Sequence, residues 1–169
     1  FYPSEVGKRF GTALDKHSMA AYWRVWENMQ SLIERDLDPL RVLIDRAHEK
    51  GMEFFASLRM GDFPGLDPSF TTPEDGRGYV HQETRDHQFA VLKELATRYP
   101  VEGIELDFAA APGGTSFWFR PEDVAEHTPL MTDYVGQISQ MVRQRPGSPG
   151  QIGARVYPTE ELNHNAGLD

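Results

Sequence analysis

The chain has no cysteine among its 169 residues, which excludes disulfides, thiolate nucleophiles and zinc-thiolate sites without fixing a compartment. Positive charge is scarce. Lys and Arg number 17 against 26 Asp and Glu, a formal net charge of -9, and no basic stripe is present to displace counterions from a phosphate backbone. Nucleic acid is therefore not an expected partner. Long hydrophobic runs are missing too: no stretch reaches the ~18 apolar residues of a membrane span. The opening FYPSEVGKRFG also lacks the basic and apolar regions of a secretory signal. That opening reads as one entered in mid-fold, and the ending NHNAGLD as a helix barely begun, so localisation stays open, with a periplasmic or secreted site among the options. Finally, no G-x-S-x-G, G-x-x-x-x-G-K-[ST] or G-x-G-x-x-G pattern occurs. Nucleophilic-serine, P-loop and dinucleotide chemistry have no foothold, and no cofactor is expected.

What is present is a repeated order of helix and strand, within a length suited to one domain over 1–169. DPLRVLIDRAHEKG (38–51) opens with Asp38 as N-cap and Pro39 at the first helical position and stops at Gly51. Leu40, Leu43, Ile44 and Ala47 predict its apolar face. MEFFASL (52–58) follows as a short, aromatic, buried strand. HQETRDHQFAVLKELATRYP places Phe89, Leu92, Leu95 and Ala96 at helical spacing before the strand VEGIELDF. TPLMTDYVGQISQMVRQRPG predicts a third helix, with Thr128 as N-cap, Pro129 at the first position and Leu130, Tyr134, Ile138 and Met141 inward; the strand QIGARVYP comes next. An earlier helix, MAAYWRVWENMQSLIERDL, carries Tyr22, Trp26, Met29 and Ile33 on one side, and its Trp and Met residues are expected in the core.

Alternating helices and near-continuously apolar strands mean parallel βα units in an α/β fold. Strand starts near 52, 101 and 151 recur about every 50 residues, longer than the ~30 of a minimal unit. The surplus lies on one side only. Helix-to-strand joints are short, whereas the strand-to-helix joints, 59 to about 80 and 108 to about 120, far exceed the usual ~2–6 residues. Long loops after the carboxyl ends of parallel strands are where barrels and open sheets build their sites. With three clear strands against the roughly 250 residues of a full barrel, the chain is part of a barrel or a small open sheet.

Chemistry-bearing residues gather at those strand ends. In VEGIELDF, Glu105 and Asp107 share one face with Cα atoms ~6.6 Å apart, while Ile104, Leu106 and Phe108 point to the other. Two carboxylates in an otherwise apolar strand suit a site at the mouth of a barrel; an acidic edge strand facing water is the bland alternative. SLRMGDFPG adds Arg59 and Asp62 at the end of the preceding strand, where an arginine can pair with a neighbouring carboxylate and fix its rotamer. ARVYP supplies Arg155 and Tyr157, again two residues apart. HQETRDH offers His81, Glu83, Asp86 and His87, whose spacing matches no familiar metal motif; a helix N-terminus with favourable acids accounts for it, no metal is expected, and His81 is a candidate to reach the rim. In AAAPGGTSFWF, Phe117, Trp118 and Phe119 form either a platform for sugar C–H faces or a hydrophobic plug.

Together, DPLRVLIDRAHEKGMEFFASLRMGD, YVHQETRDHQFAVLKELATRYPVEGIELDF and ARVYPTEELNHNAGLD resemble a family of glycoside hydrolase-like (β/α)8 TIM-barrel proteins of polysaccharide-degrading bacteria. The similarity is most specific at 52–62 and 99–108. Gly61 stands where the family often has Asn, and the neutral AAAPGG where it often has a basic residue. The resemblance implies the N-terminal portion of a TIM barrel, about strands two to four, with Arg59, Asp62, Glu105, Asp107 and Arg155 lining the pocket. On this reading Asp107, then Glu105 and Asp62, are the candidate catalytic carboxylates. Arg59, Arg155, Tyr157, His81 and Trp118 are candidate substrate-binding residues for a poly- or oligosaccharide. A non-catalytic carbohydrate-binding barrel and a lyase on uronic acid polymers are the alternatives, the second because paired arginines neutralise a sugar carboxylate.

Overall fold

The computed structural model describes residues 2–9, 11, 19–61, 63, 65–70, 73–109, 118–147 and 149–168. Helices α1 (Ala20–Glu34) and α2 (Pro39–Glu49) precede strand β1 (Phe55–Arg59). Then follow α3 (Gln82–Arg98), β2 (Gly103–Asp107), α4 (Val124–Arg143), β3 (Gln151–Arg155) and a short α5 (Glu160–Asn165). Among the described residues the strands form one parallel sheet of order β1-β2-β3, with helices as crossovers. The α/β, parallel-unit architecture is thus present; three strands do not close a barrel.

Local rules account for the boundaries. Asp38 accepts from the backbone N–H groups of Leu40 at 2.9 Å and Arg41 at 3.4 Å, capping α2 at the proline. Its other end closes through Gly51 at φ +71°, whose N–H donates to the His48 carbonyl while the Met52 N–H reaches back to Ala47. The next strand begins at Phe55 rather than Met52: the turn after Gly51 takes up three more residues than the apolar run suggests.

The core lies between the sheet and α3 and α4. Ile104 and Leu106 of β2 are fully enclosed by Leu92, Leu95 and Ala96 of α3 and by Ile138 and Val142 of α4, with Val101 and Phe108 extending the same layer. Each such side chain contributes about 1.5–3 kcal/mol by leaving water. The other sheet face carries Phe55, Ser57 and Arg59, then Gly103, Glu105 and Asp107, then Gln151, Gly153 and Arg155, in register across the strands. No described helix covers it. At Gly103 the choice of residue is forced, because an added Cβ would lie 2.2 Å from the Phe55 ring and 2.7 Å from the Gln151 carbonyl oxygen.

Three helical expectations need correction. The third long helix does not start with Thr128 as cap and Pro129 as first residue: α4 begins at Val124, and Pro129 sits inside it. Thr128 instead donates its hydroxyl to the Val124 carbonyl at 2.9 Å. Proline inside a helix is tolerated where few turns precede it, since only the Ala125 carbonyl loses its donor. On α2, Leu43 does not join the core with Ile44 and Ala47 but is 59% exposed. On α1 only Met29 is buried, and Tyr22 and Trp23 stand at the surface, so helical periodicity there marks a face without describing what covers it.

Candidate functional site

The parallel register sets Arg59, Asp107 and Arg155 side by side at the carboxyl ends of β1, β2 and β3. All three belong to the uncovered face, in one row across the sheet. Asp107 is only 4% exposed. Its Oδ1 accepts the Ala109 backbone N–H at 3.1 Å, and Arg155 Nη1 donates to Oδ2 at 3.3 Å. Arg155 remains 60% exposed along its side chain, so the ion pair has a wet cation over a dry anion. Such geometry fixes the carboxylate while leaving guanidinium N–H groups turned to solvent.

Glu105 lies one level below, in register with Ser57 and Gly153. The Ser57 hydroxyl donates to Glu105 Oε1 at 2.7 Å. Glycine at 153 leaves open space beside this carboxylate, since an added Cβ there would meet nothing within 4 Å. Ser57 was not among the sequence candidates, yet its signal was available: it stands two residues before Arg59, hence on the same face.

Tyr157 leaves β3 and turns back over β2, its hydroxyl 3.5 Å from the Ala109 carbonyl, beside the N–H that holds Asp107. Asn163 fixes this turn. Its Oδ1 accepts the Tyr157 N–H at 2.8 Å, and its Nδ2 donates to the carbonyls of Tyr157 at 3.1 Å and Thr159 at 3.0 Å. Thr159 in turn caps α5 through Leu162 N–H. Sequence reasoning missed Asn163, because nothing local distinguishes a clamping amide from a surface one.

The remaining candidates separate. His81 occupies the N-cap position of α3, on the loop side of the sheet, with its ring edge-on to Phe70 at 5.5 Å. Trp118 is not a platform. It is 1% exposed, donates its indole N–H to the Phe108 carbonyl at 2.9 Å and packs edge-on against the Phe108 ring. Phe119 is buried as well, stacked on His127. The plug therefore describes these two aromatics. Asp62 and Phe117 lie outside the described residues.

Other strongly placed charges sit elsewhere. At the amino end of β2, Glu102 accepts the Phe54 N–H at 2.7 Å and meets His48 Nε2 at 3.1 Å. The Phe54 hydrogen bond, with help from His48 and against a small burial effect, holds the Glu102 carboxyl below its usual range. Tyr79, fully buried near the end of the long first loop, donates to the Met60 carbonyl at 2.8 Å, and burial raises its phenol well above the ordinary value. A groove of about 330 Å³ runs between α4 and β3, lined by Val124, Met131, Val135, Ala154, Val156 and Leu168; it lies on the helix side of the sheet, away from the charged row. Among the described residues no group of three His, Asp or Glu side chains is placed to hold a metal ion, and no helix is long and apolar enough to cross a membrane.

No protein-family model matches the chain, and a search of curated proteins finds no significant relative.

Proposed function

We propose that this chain forms part of a (β/α)8 barrel of glycoside hydrolase type, whose lumen is the uncovered face of the sheet and whose substrate is a poly- or oligosaccharide. One observation carries the reading: the row Arg59, Asp107, Arg155 closes the carboxyl ends of three parallel strands, with Glu105 one level deeper on the same face. A purely parallel sheet with one bare, polar face is what a barrel segment presents before its remaining strands are considered, because parallel sheets are ordinarily covered on both sides.

In this reading Asp107 is the carboxylate that acts on the anomeric centre, oriented by Ala109 N–H and Arg155. Glu105, in contact with Ser57 and bordered by the open space at Gly153, is the second carboxylate of the pair. Arg59, Arg155 and Tyr157 border the entrance and bind substrate hydroxyls or acidic substituents, and His81 is a candidate contributor from the loop side.

The exposed guanidinium of Arg155 favours a second reading, a lyase on uronic acid polymers, in which arginines neutralise the sugar carboxylate. Tight saturation of Asp107 favours a third, a carbohydrate-binding barrel without turnover. One experiment separates them: the whole natural protein and its Asp107→Asn variant are assayed on a glycan panel for reducing ends, for ultraviolet-absorbing unsaturated products and for binding. Reducing ends formed by the wild type without unsaturated products, and lost in a variant that still binds, support the hydrolase. Unsaturated products mean the lyase, and binding with no turnover on any glycan means the binding module.

A further inference from the structure

The first described segment, residues 2–9, lies along α3, and one carboxylate there takes three of its hydrogen bonds. Glu94 Oε2 accepts the hydroxyls of Tyr2 at 2.7 Å and Ser4 at 2.6 Å, and Oε1 accepts the Glu5 backbone N–H at 2.7 Å. Arg98, one turn further along α3, donates to the Pro3 carbonyl at 2.6 Å and also approaches Glu94 at 3.4 Å and Glu5 at 3.9 Å. Tyr2 packs edge-on against Tyr99. The Ser4 oxygen also accepts the N–H groups of Gly7 at 2.9 Å and Val6 at 3.2 Å, folding 4–7 into a turn that depends on the same hydroxyl. Burial pushes the Glu94 carboxyl up, but the hydrogen bonds from Glu5, Ser4 and Tyr2 and the Arg98 charge outweigh it, and the net shift is downward.

The far end of the segment meets the long loop between β1 and α3. A Cβ built at Gly65 would lie 3.3 Å from the Lys8 amide nitrogen and 3.6 Å from the His87 ring on α3. Gly65, at φ +105°, therefore lies between the segment and the helix, with little room for a side chain. From Glu94 to His87 the helix advances roughly 10 Å, a distance within reach of the stretch from Ser4 to Lys8. The same loop starts at Met60, whose N–H donates to the Asp107 carbonyl at 3.1 Å, beside the row of charges.

We infer that residues 2–9 are a strap that holds residues 65–70 of the loop between β1 and α3 against that helix, with Glu94 as its anchor, so that releasing the strap loosens this part of the loop. Mobility there is set by a contact on the opposite end of α3 from the loop. Local opening of this kind is read directly by amide exchange.

The test is native-state hydrogen exchange of the wild type, Glu94→Gln and Ser4→Ala. Amides at Glu5 and Gly7 report the strap, those at Leu66 and Phe70 report the loop, and those of β2 serve as the internal standard. The expected result is exchange faster by on the order of tenfold at the strap amides, accompanied by a several-fold rise at Leu66 and Phe70, with β2 unchanged. A strap that loosens while Leu66 and Phe70 keep wild-type protection overturns the coupling. A strap whose protection survives both substitutions overturns Glu94 as the anchor. Should Glu94→Gln unfold the protein, Ser4→Ala decides by the same criteria, since it deletes one half-buried hydroxyl and leaves the carboxylate in place.

Discussion

The two ends of β2 use the same device for different purposes. At the amino end Glu102 takes one backbone N–H, from Phe54, and one side-chain partner, the His48 ring; at the carboxyl end Asp107 takes one backbone N–H, from Ala109, and one side-chain partner, the Arg155 guanidinium. The surroundings differ. Glu102 ties a strand start to the short turn after α2 and lies near the surface, where the contact fastens a joint. Asp107 is buried at the point where the chain leaves the sheet for a long loop, between two arginines in register. A carboxylate that joins neighbouring segments at a tight corner suits stability, and one held rigid beneath exposed donors suits a site. The same contrast separates the two faces of the strand, with Ile104 and Leu106 sealed under helices and Glu105 left to the open side.

The sharpest way to break the comparison is chemical. On the proposed hydrolase reading, Asp107→Asn should lower turnover on a cleaved glycan by on the order of 10³-fold, whereas Glu102→Gln should leave it at the wild-type level; parallel kcat measurements check both, and equal losses would erase the distinction between the ends. Next in size is Gly103→Ala, which drives a methyl into the Phe55 ring and the Gln151 carbonyl. It should destabilise the protein by about 1–3 kcal/mol, read from the shift of the urea midpoint. Arg155→Met should lower stability by about 1–2 kcal/mol, less than for a fully buried pair because the guanidinium is mostly solvated, and by less when paired with Asp107→Asn in a double-mutant cycle.

The smallest effect belongs to Glu102→Gln, about 0.5–1 kcal/mol at neutral pH. Its pH dependence has a definite sign. The folded carboxyl lies below the ordinary 4.5, so its stabilisation is present above that value and is lost as pH falls through the folded pKa. Urea midpoints of wild type and variant should therefore differ at pH 6 and converge as the pH is lowered below 4.5.

Much of this was legible in the residues. Strand period places Glu105 and Asp107 on one face and Ile104, Leu106 and Phe108 on the other, and the same two-residue step carries Ser57 to Arg59. Asp38, Pro39 and Gly51 mark a helix by the backbone groups they satisfy or cannot supply. Pro129 misled, because proline serves equally as a first residue and as an early interior one. Trp118 is a different failure: an aromatic after glycines has the same local pattern whether its ring faces solvent or folds onto Phe108.

The sequence by itself determined the order of helices and strands, the two faces of β2 and the long loops on one side, since each rests on the stereochemistry of neighbouring residues. Tertiary structure alone decided which distant groups meet. It brought Arg59 and Arg155 to either side of Asp107 through the parallel register, clamped Tyr157 with Asn163, and joined Tyr2 and Ser4 to Glu94 across about ninety residues of chain. Those partnerships depend on how elements pack, and a hydroxyl or carboxylate has no local preference that names a partner so far away.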